Sequence, residues 1–173
     1  MNQPYCKRRA GRREINPETN PVSKRILRDE ILVDTIFKIF VAFRSLTEEA
    51  DQILDRRALG RAHFRALGVI ALQPGSAVSD IIATLGITNQ ALNRVMNELQ
   101  SRGLIRAKLD TDDRRRRKLY LTDAGQEIFD RTMAAQLAVL RHAAKKCGVK
   151  GFEAYREFLS AMATYEPPGQ PID

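Results

Sequence analysis

Between residues 28 and 57, apolar side chains recur at Ile31, Leu32, Ile36, Phe37, Ile39, Phe40, Phe43, Leu46, Ala50, Ile53 and Leu54. Steps of three and four residues put them on one face of a helix, held for roughly eight turns without a Gly or Pro. Such a helix runs ~45 Å at 1.5 Å per residue, longer than a small domain is wide. Part of its apolar face therefore needs a partner beyond its own domain, and a second copy of the chain is the usual one. A second helix follows Gly60, with Ala62, Phe64, Leu67, Val69, Ile70 and Leu72 on its apolar side, and Pro74-Gly75 ends it. A short third helix spans about Val78 to Leu85, with Gly86 just beyond it.

The fourth helix carries the sharpest pattern. Thr88 is a good N-cap residue, and Leu92, Val95, Met96 and Leu99 form one stripe at i, i+3, i+4 and i+7. Asn89, Gln90, Asn93, Arg94 and Asn97 occupy the other face. Gly103 supplies the left-handed residue that ends the helix. The period then changes to that of strands. Leu104, Arg106, Lys108 and Leu109 lead into a charged turn from Asp110 to Arg117, and Leu119, Tyr120 and Leu121 return from it. This predicts a β-hairpin with a long basic tip. A long helix from about Asp123 to Cys147 follows, broken by Gly148, and a last one from about Lys150 to Thr164. The fold class is therefore mainly α with one small hairpin. The expected segments are an N-terminal arm (1–24), a first long helix (25–60), a central module (61–122), C-terminal helices (123–165) and a tail (166–173).

Charge sharpens this map. The 173 residues carry 29 Lys and Arg against 21 Asp and Glu, a net +8. Residues 1–30 hold net +4 and residues 102–118 net +5, which leaves the other 126 residues at net −1. Two concentrated basic segments on a neutral body point to a polyanion, or else to a solvated loop and a flexible arm. An anionic membrane is the poorer partner, because neither segment has an amphipathic apolar face. The longest apolar runs fall far below the ~20 residues of a membrane span, and no apolar stretch follows the N-terminal basic residues as in a secretory signal.

Two helices joined by a short Gly-containing turn form a helix-turn-helix. Its second helix buries one stripe and offers polar side chains near its N-terminus to the major groove. Asn and Gln pair bidentately with adenine and Arg with guanine, so Thr88, Asn89, Gln90, Asn93 and Arg94 are the candidate reading residues. An ordinary surface helix also has a polar face, so the helix alone says little. The hairpin adds weight. Four consecutive arginines, Arg114 to Arg117, repel one another, and hairpin tips ordinarily use Asn-Gly or Asp-Gly. A basic wing after a helix-turn-helix can lie along the backbone and insert an arginine in the minor groove. Asp112 and Asp113 look contrary there, but one carboxylate can hold a neighbouring guanidinium in a bidentate pair and aim it.

The run from Asp113 through Arg114, Arg115, Arg116, Arg117, Lys118, Leu119, Tyr120, Leu121 and Thr122 to Gly125 resembles the wing signature of the MarR (multiple-antibiotic-resistance regulator) family. Leu85-Gly86-Ile87-Thr88 resembles that family's turn, and Leu99 to Ile105 the end of its recognition helix. The resemblance spans about residues 29–163. It implies a winged helix-turn-helix homodimer that binds double-stranded DNA at a pseudo-palindromic operator and regulates nearby genes, most often as a repressor. The first and last helices would make the interface. Carried over by position, Asp113 orients the wing arginine and Arg115 is that arginine. The basic arm is not part of the family pattern; it is either a minor-groove contact or an electrostatic tether. The run Arg114 to Arg117 with Lys118 is heavier than the usual tip, so more than one arginine is a candidate.

The resemblance also implies a pocket for a small aromatic or anionic effector, with Phe40, Phe43, Arg44, His63 and Leu67 as candidate lining. A plainer role for His63 is that of a capped or interface histidine in a packed core. Cys6 and Cys147 are weak redox candidates, since Cys147 ends a helix where the dipole disfavours a thiolate and Cys6 lies in the arm. Two isolated cysteines and two histidines, His63 and His142, supply neither a metal site nor a catalytic constellation. No cofactor and no enzymatic activity are expected. A reducing cytoplasm is the expected setting. The rival reading is a winged helix that serves as a scaffold, or as an RNA- or protein-binding module, without reading DNA sequence.

Overall fold

The computed structural model describes residues 28–86, 88–109 and 117–165. The elements are α1 (Asp29–Asp55), α2 (Arg61–Leu72), α3 (Val78–Leu85), α4 (Asn89–Ser101), β1 (Ile105–Leu109), β2 (Arg117–Leu121) and α5 (Asp123–Ala163). The chain divides into two compact units, Met1–Val41 and Ala42–Asp173, with the border inside α1.

In the first unit the described residues are the start of α1. Asp29 and Glu30 lie in its first turn, where the helix dipole favours acids. Its apolar residues stay in the open: Ile36 is 49% exposed, Phe37 63% and Phe40 63%. Phe37 and Phe40 meet edge to face, with ring centroids 6.3 Å apart.

The second unit holds the core. Leu54, Leu67, Ile70, Ile81, Leu92, Leu99, Ile105, Leu119 and Ile128 are all buried in one cluster. Phe64 of α2 stacks on Phe129 of α5 at 5.7 Å. A Cβ at Gly68 would stand 3.5 Å from the Phe129 ring, an ordinary van der Waals contact, so α2 and α5 lie close at this point. Each fully buried large apolar side chain contributes roughly 1.5–3 kcal/mol.

Local chemistry fixes the ends of the elements. After α1, Ala58 takes the left-handed region at φ 49°, and Leu59 N–H donates to the Leu54 carbonyl. Asp80 caps α3 by accepting from Ala77 N–H at 2.8 Å. Gly86, at φ 61° and ψ 34°, ends α3. Thr88 caps α4, its hydroxyl accepting from Ala91 N–H at 3.3 Å.

β1 and β2 pair antiparallel, from Ile105 opposite Leu121 to Leu109 opposite Arg117. Arg117, which the sequence places in the turn, is thus in the strand. A contact without a sequence signal completes the hairpin: Gly75 N–H donates to the Leu119 carbonyl, and Leu119 N–H to the Ser76 carbonyl. The segment before α3 thereby covers the outer edge of β2.

The start of α5 is tightly jointed to the hairpin. The Thr122 hydroxyl accepts from Gly125 N–H at 3.1 Å and donates to the Gly103 carbonyl at 2.7 Å. Thr122 N–H donates to the Leu104 carbonyl. A Cβ at Gly125 would stand 2.0 Å from that same carbonyl oxygen. This explains the Leu-Thr-x-x-Gly run physically: Thr caps, and only Gly lets the two backbones meet. Gly148, at φ 69° and ψ 179°, interrupts α5 where the sequence predicts a break. All the buried residues of α5 lie before it: Gly125, Ile128, Phe129, Thr132 and Ala135. Among the described residues no helix is long and apolar enough to cross a membrane.

Candidate nucleic-acid interface

α4 is oriented by its stripe. Leu92 and Leu99 are 0% exposed and Met96 6%, so the helix has one way to seat on the core. Thr88, Asn89, Gln90, Asn93, Arg94 and Asn97 are consequently all exposed. The structure brings the five reading candidates together on the first turns of one helix. The Thr88 hydroxyl is committed to its cap, which leaves Asn89, Gln90, Asn93 and the terminal nitrogens of Arg94 as the exposed polar edge. Two donors and acceptors per amide, and a fork of guanidinium donors, match the requirements of base edges.

Of the wing candidates, Asp113, Arg114, Arg115 and Arg116 lie outside the described residues, and so does the Asp113–Arg115 pairing. Arg117 and Lys118 are in β2, where Lys118 is paired with Lys108 across the hairpin. The Lys108 ammonium lies 5.5 Å from the centre of the Tyr120 ring. Of the basic side chains on the two strands only Lys108 and Lys118 stand directly opposite one another; Arg106 is opposite Tyr120 and Arg117 opposite Leu109, and all four put positive charge on the two strands.

The pocket candidates are placed differently. Phe40 is exposed in the first unit. Of the other four, Leu67 is 0% exposed within the core and Arg44 is exposed. Phe43 lies under the Arg61 guanidinium, 5.1 Å from its ring centre. Arg61 in turn clamps α1, donating Nε and Nη2 to the Asp51 carboxylate (2.6 Å at the shortest) and Nη2 to Thr47 Oγ1 at 2.9 Å. This bidentate hold keeps the Asp51 carboxyl below its ordinary range. None of the four lines a cavity of about 460 Å³ bordered by Glu49, Gln52, Ile53, Arg56, Arg131, Ala134, Ala135 and Ala138.

His63 has two partners. Its Nδ1 accepts from Gly60 N–H at 3.0 Å, and its Nε2 lies 2.8 Å from Glu98 Oε2. Glu98 Oε1 accepts from Arg94 Nε at 3.1 Å. Sequence reasoning misses Glu98, because its partner lies 35 residues away and only the Arg94–Glu98 spacing of four is visible locally.

Comparison with known proteins follows the same lines. A family model described as the MarR family matches residues 59–116. The HTH-type transcriptional regulator PetP of Rhodobacter capsulatus is 38% identical over 136 residues, 79% of this chain and 82% of that protein. Among solved structures, the transcriptional repressor CouR bound to a 23-mer DNA duplex has a TM-score of 0.61, with 20% identity over 82% of this chain and 96% of that one. The S. aureus MepR F27L mutant bound to an oligodeoxyribonucleotide has a TM-score of 0.55, with 19% identity over 76% of this chain and 96% of that one. At such identities the two structures speak for a shared fold.

Proposed function

The chain belongs to the MarR family of transcriptional regulators, and from that premise we propose that it binds double-stranded DNA sequence-specifically, as a homodimer, and represses the genes beside its operator. The observation that carries this reading is α4: a fully seated apolar stripe and, opposite it, exposed Asn89, Gln90, Asn93 and Arg94, followed directly by a hairpin whose strands are basic. Phosphates would offset the hairpin charge, and the amides and guanidinium would read bases.

The homodimer is supported by apolar residues left open. Those of α1 before Val41 are one set; Tyr155 (46% exposed), Phe158 (50%), Leu159 (43%) and Met162 (48%) of α5 are the other. A two-fold dimer sets its recognition helices about 34–36 Å apart, one turn of DNA. It would act in the cytoplasm, without catalysis. For the effector, the cavity beside Arg56 and Arg131, which Glu49 also borders, has the volume to take a small molecule.

Selection from random duplexes tests the reading. A pseudo-palindromic consensus is the expected result; no enrichment would favour the scaffold, or the RNA- or protein-binding module. On the selected site, Arg115→Ala should weaken specific and non-specific binding alike and flatten the salt dependence, and an unchanged slope would remove Arg115 from the wing contact.

A further inference from the structure

The recognition helix holds a charged pair that its groove-facing edge does not need. Arg94 and Glu98 are one turn apart, and Glu98 accepts from Arg94 Nε at 3.1 Å. Alone, such a pair on a helix surface is weak and loosely held, the more so with the base N-terminal to the acid. Glu98 is not left to move, however, because its second oxygen is bound by His63 of α2 at 2.8 Å. His63 is itself fixed, because Gly60 N–H meets Nδ1 at 3.0 Å. A backbone N–H can only donate, so Nδ1 is the unprotonated nitrogen and Nε2 carries the proton given to Glu98. The Glu98 carboxyl is held below its ordinary range, first by the Arg94 hydrogen bond and then by that of His63, so both bonds end on a carboxylate.

The result is a chain of hydrogen bonds from the start of α2, through a ring and a carboxylate, to a guanidinium. Side-chain exposure rises along it, from 13% at His63 to 33% at Glu98 and 85% at Arg94. It is anchored at its base and open at its tip. Only Nε of Arg94 is engaged among the described residues. The two terminal nitrogens remain, and a pair of guanidinium donors is what guanine O6 and N7 accept.

We propose that His63 and Glu98 are positioning residues that aim Arg94 at one guanine of the operator, so that base discrimination at that position depends on α2 as well as on α4. The proposal rests on the sequence-reading function above. An arginine free to rotate would contact phosphates and several bases with similar ease. Holding Nε fixes the plane of the guanidinium before DNA arrives and lowers the ordering cost of the bidentate contact.

The test uses the full chain, its selected duplex and every single-base variant of that duplex. Arg94→Ala should erase discrimination at one base pair per half-site, a change of about fivefold to a hundredfold. His63→Ala and Glu98→Gln should reduce discrimination at that same base pair by roughly threefold to tenfold and leave the other positions unchanged. His63→Gln, which keeps an N–H donor for Glu98, should restore most of it, and His63→Ala should be silent in an Arg94→Ala background. If His63→Ala does not fold, Glu98→Gln, which preserves shape, carries the test. A lowered melting temperature with an unchanged discrimination profile would reduce the network to a staple between α2 and α4 and overturn the proposal. Loss spread evenly over all positions would overturn it too. Absence of discrimination by the unaltered protein would overturn the sequence-reading function itself, and the proposal with it.

Discussion

The two stretches of α5 on either side of Gly148 carry apolar residues at the same helical spacing, yet they meet different surroundings. Before the glycine, Ile128 and Phe129 are 4% and 8% exposed, and Thr132 is fully buried. After it, Tyr155, Phe158, Leu159 and Met162 are all between 43% and 50% exposed. Helical period reports which side chains share a face; it does not report what that face meets. For the first stretch the partner is the core of the same chain. For the second it is absent from a single copy, and a contiguous apolar face in water marks an interaction surface. The proposed homodimer is the assembly that would give this stretch the environment the first already has.

Substitutions can break or sharpen this contrast. The largest effect is expected at the head of α5, where Gly125→Ala drives a Cβ into the Leu104 carbonyl and should cost about 4 kcal/mol or more in thermal unfolding. A near-neutral result would mean that the joint yields. Next, Phe129→Ala should cost about 3–5 kcal/mol, largely a matter of the core, whereas Phe158→Ala combined with Leu159→Ala should act through assembly. Sedimentation should show the double variant as a monomer at concentrations where the unaltered chain is dimeric. If it remains dimeric and its stability is unchanged, the second stretch is not the interface.

A smaller effect of opposite sign is expected at Thr132, whose buried hydroxyl has no hydrogen-bond partner among the described residues. Thr132→Val removes that unsatisfied group and should raise stability by about 1 kcal/mol. No gain in a thermal melt would mean the hydroxyl is satisfied by solvent. The smallest effect concerns α1 and α2, away from α5. The Arg61 hydrogen bonds depress the Asp51 carboxyl in the folded chain. Its stabilising contribution is therefore complete above the ordinary carboxylate range and lost as the pH falls through the depressed value. The pair is partly exposed and screened by solvent, so the effect is small. Melts recorded from pH 7 down to pH 3 should be flatter for Asp51→Asn than for the unaltered chain, and parallel curves would refute the coupling.

Much of the molecule is legible in its sequence because the signals are local. The stripe Leu92, Met96, Leu99, the Thr88 cap and the breaks at Gly86, Gly103 and Gly148 lie within a few residues of what they control. The exposed face of α4 follows from the stripe, and with it the reading residues. Less legible are contacts that only the tertiary arrangement creates. Gly75 and Ser76 pair with Leu119, yet two residues carry no strand period. Glu98 meets His63 from another helix, and Arg61 reaches Asp51 across a turn. The cavity beside Arg56 and Arg131 escapes for the same reason: its walls come from α1 and α5, far apart in the chain. Effector candidates drawn from sequence gather instead around Phe43 and Leu67, which the fold uses for a cation–aromatic clamp and for the core.

The joint between the hairpin and α5 has a mechanical consequence. The Leu104 carbonyl is seated against Gly125 with no room for a single carbon atom, and it also accepts from Thr122 N–H. The joint has no slack. The first turn of α5 therefore cannot move toward Leu104 without displacing the base of β1 with it.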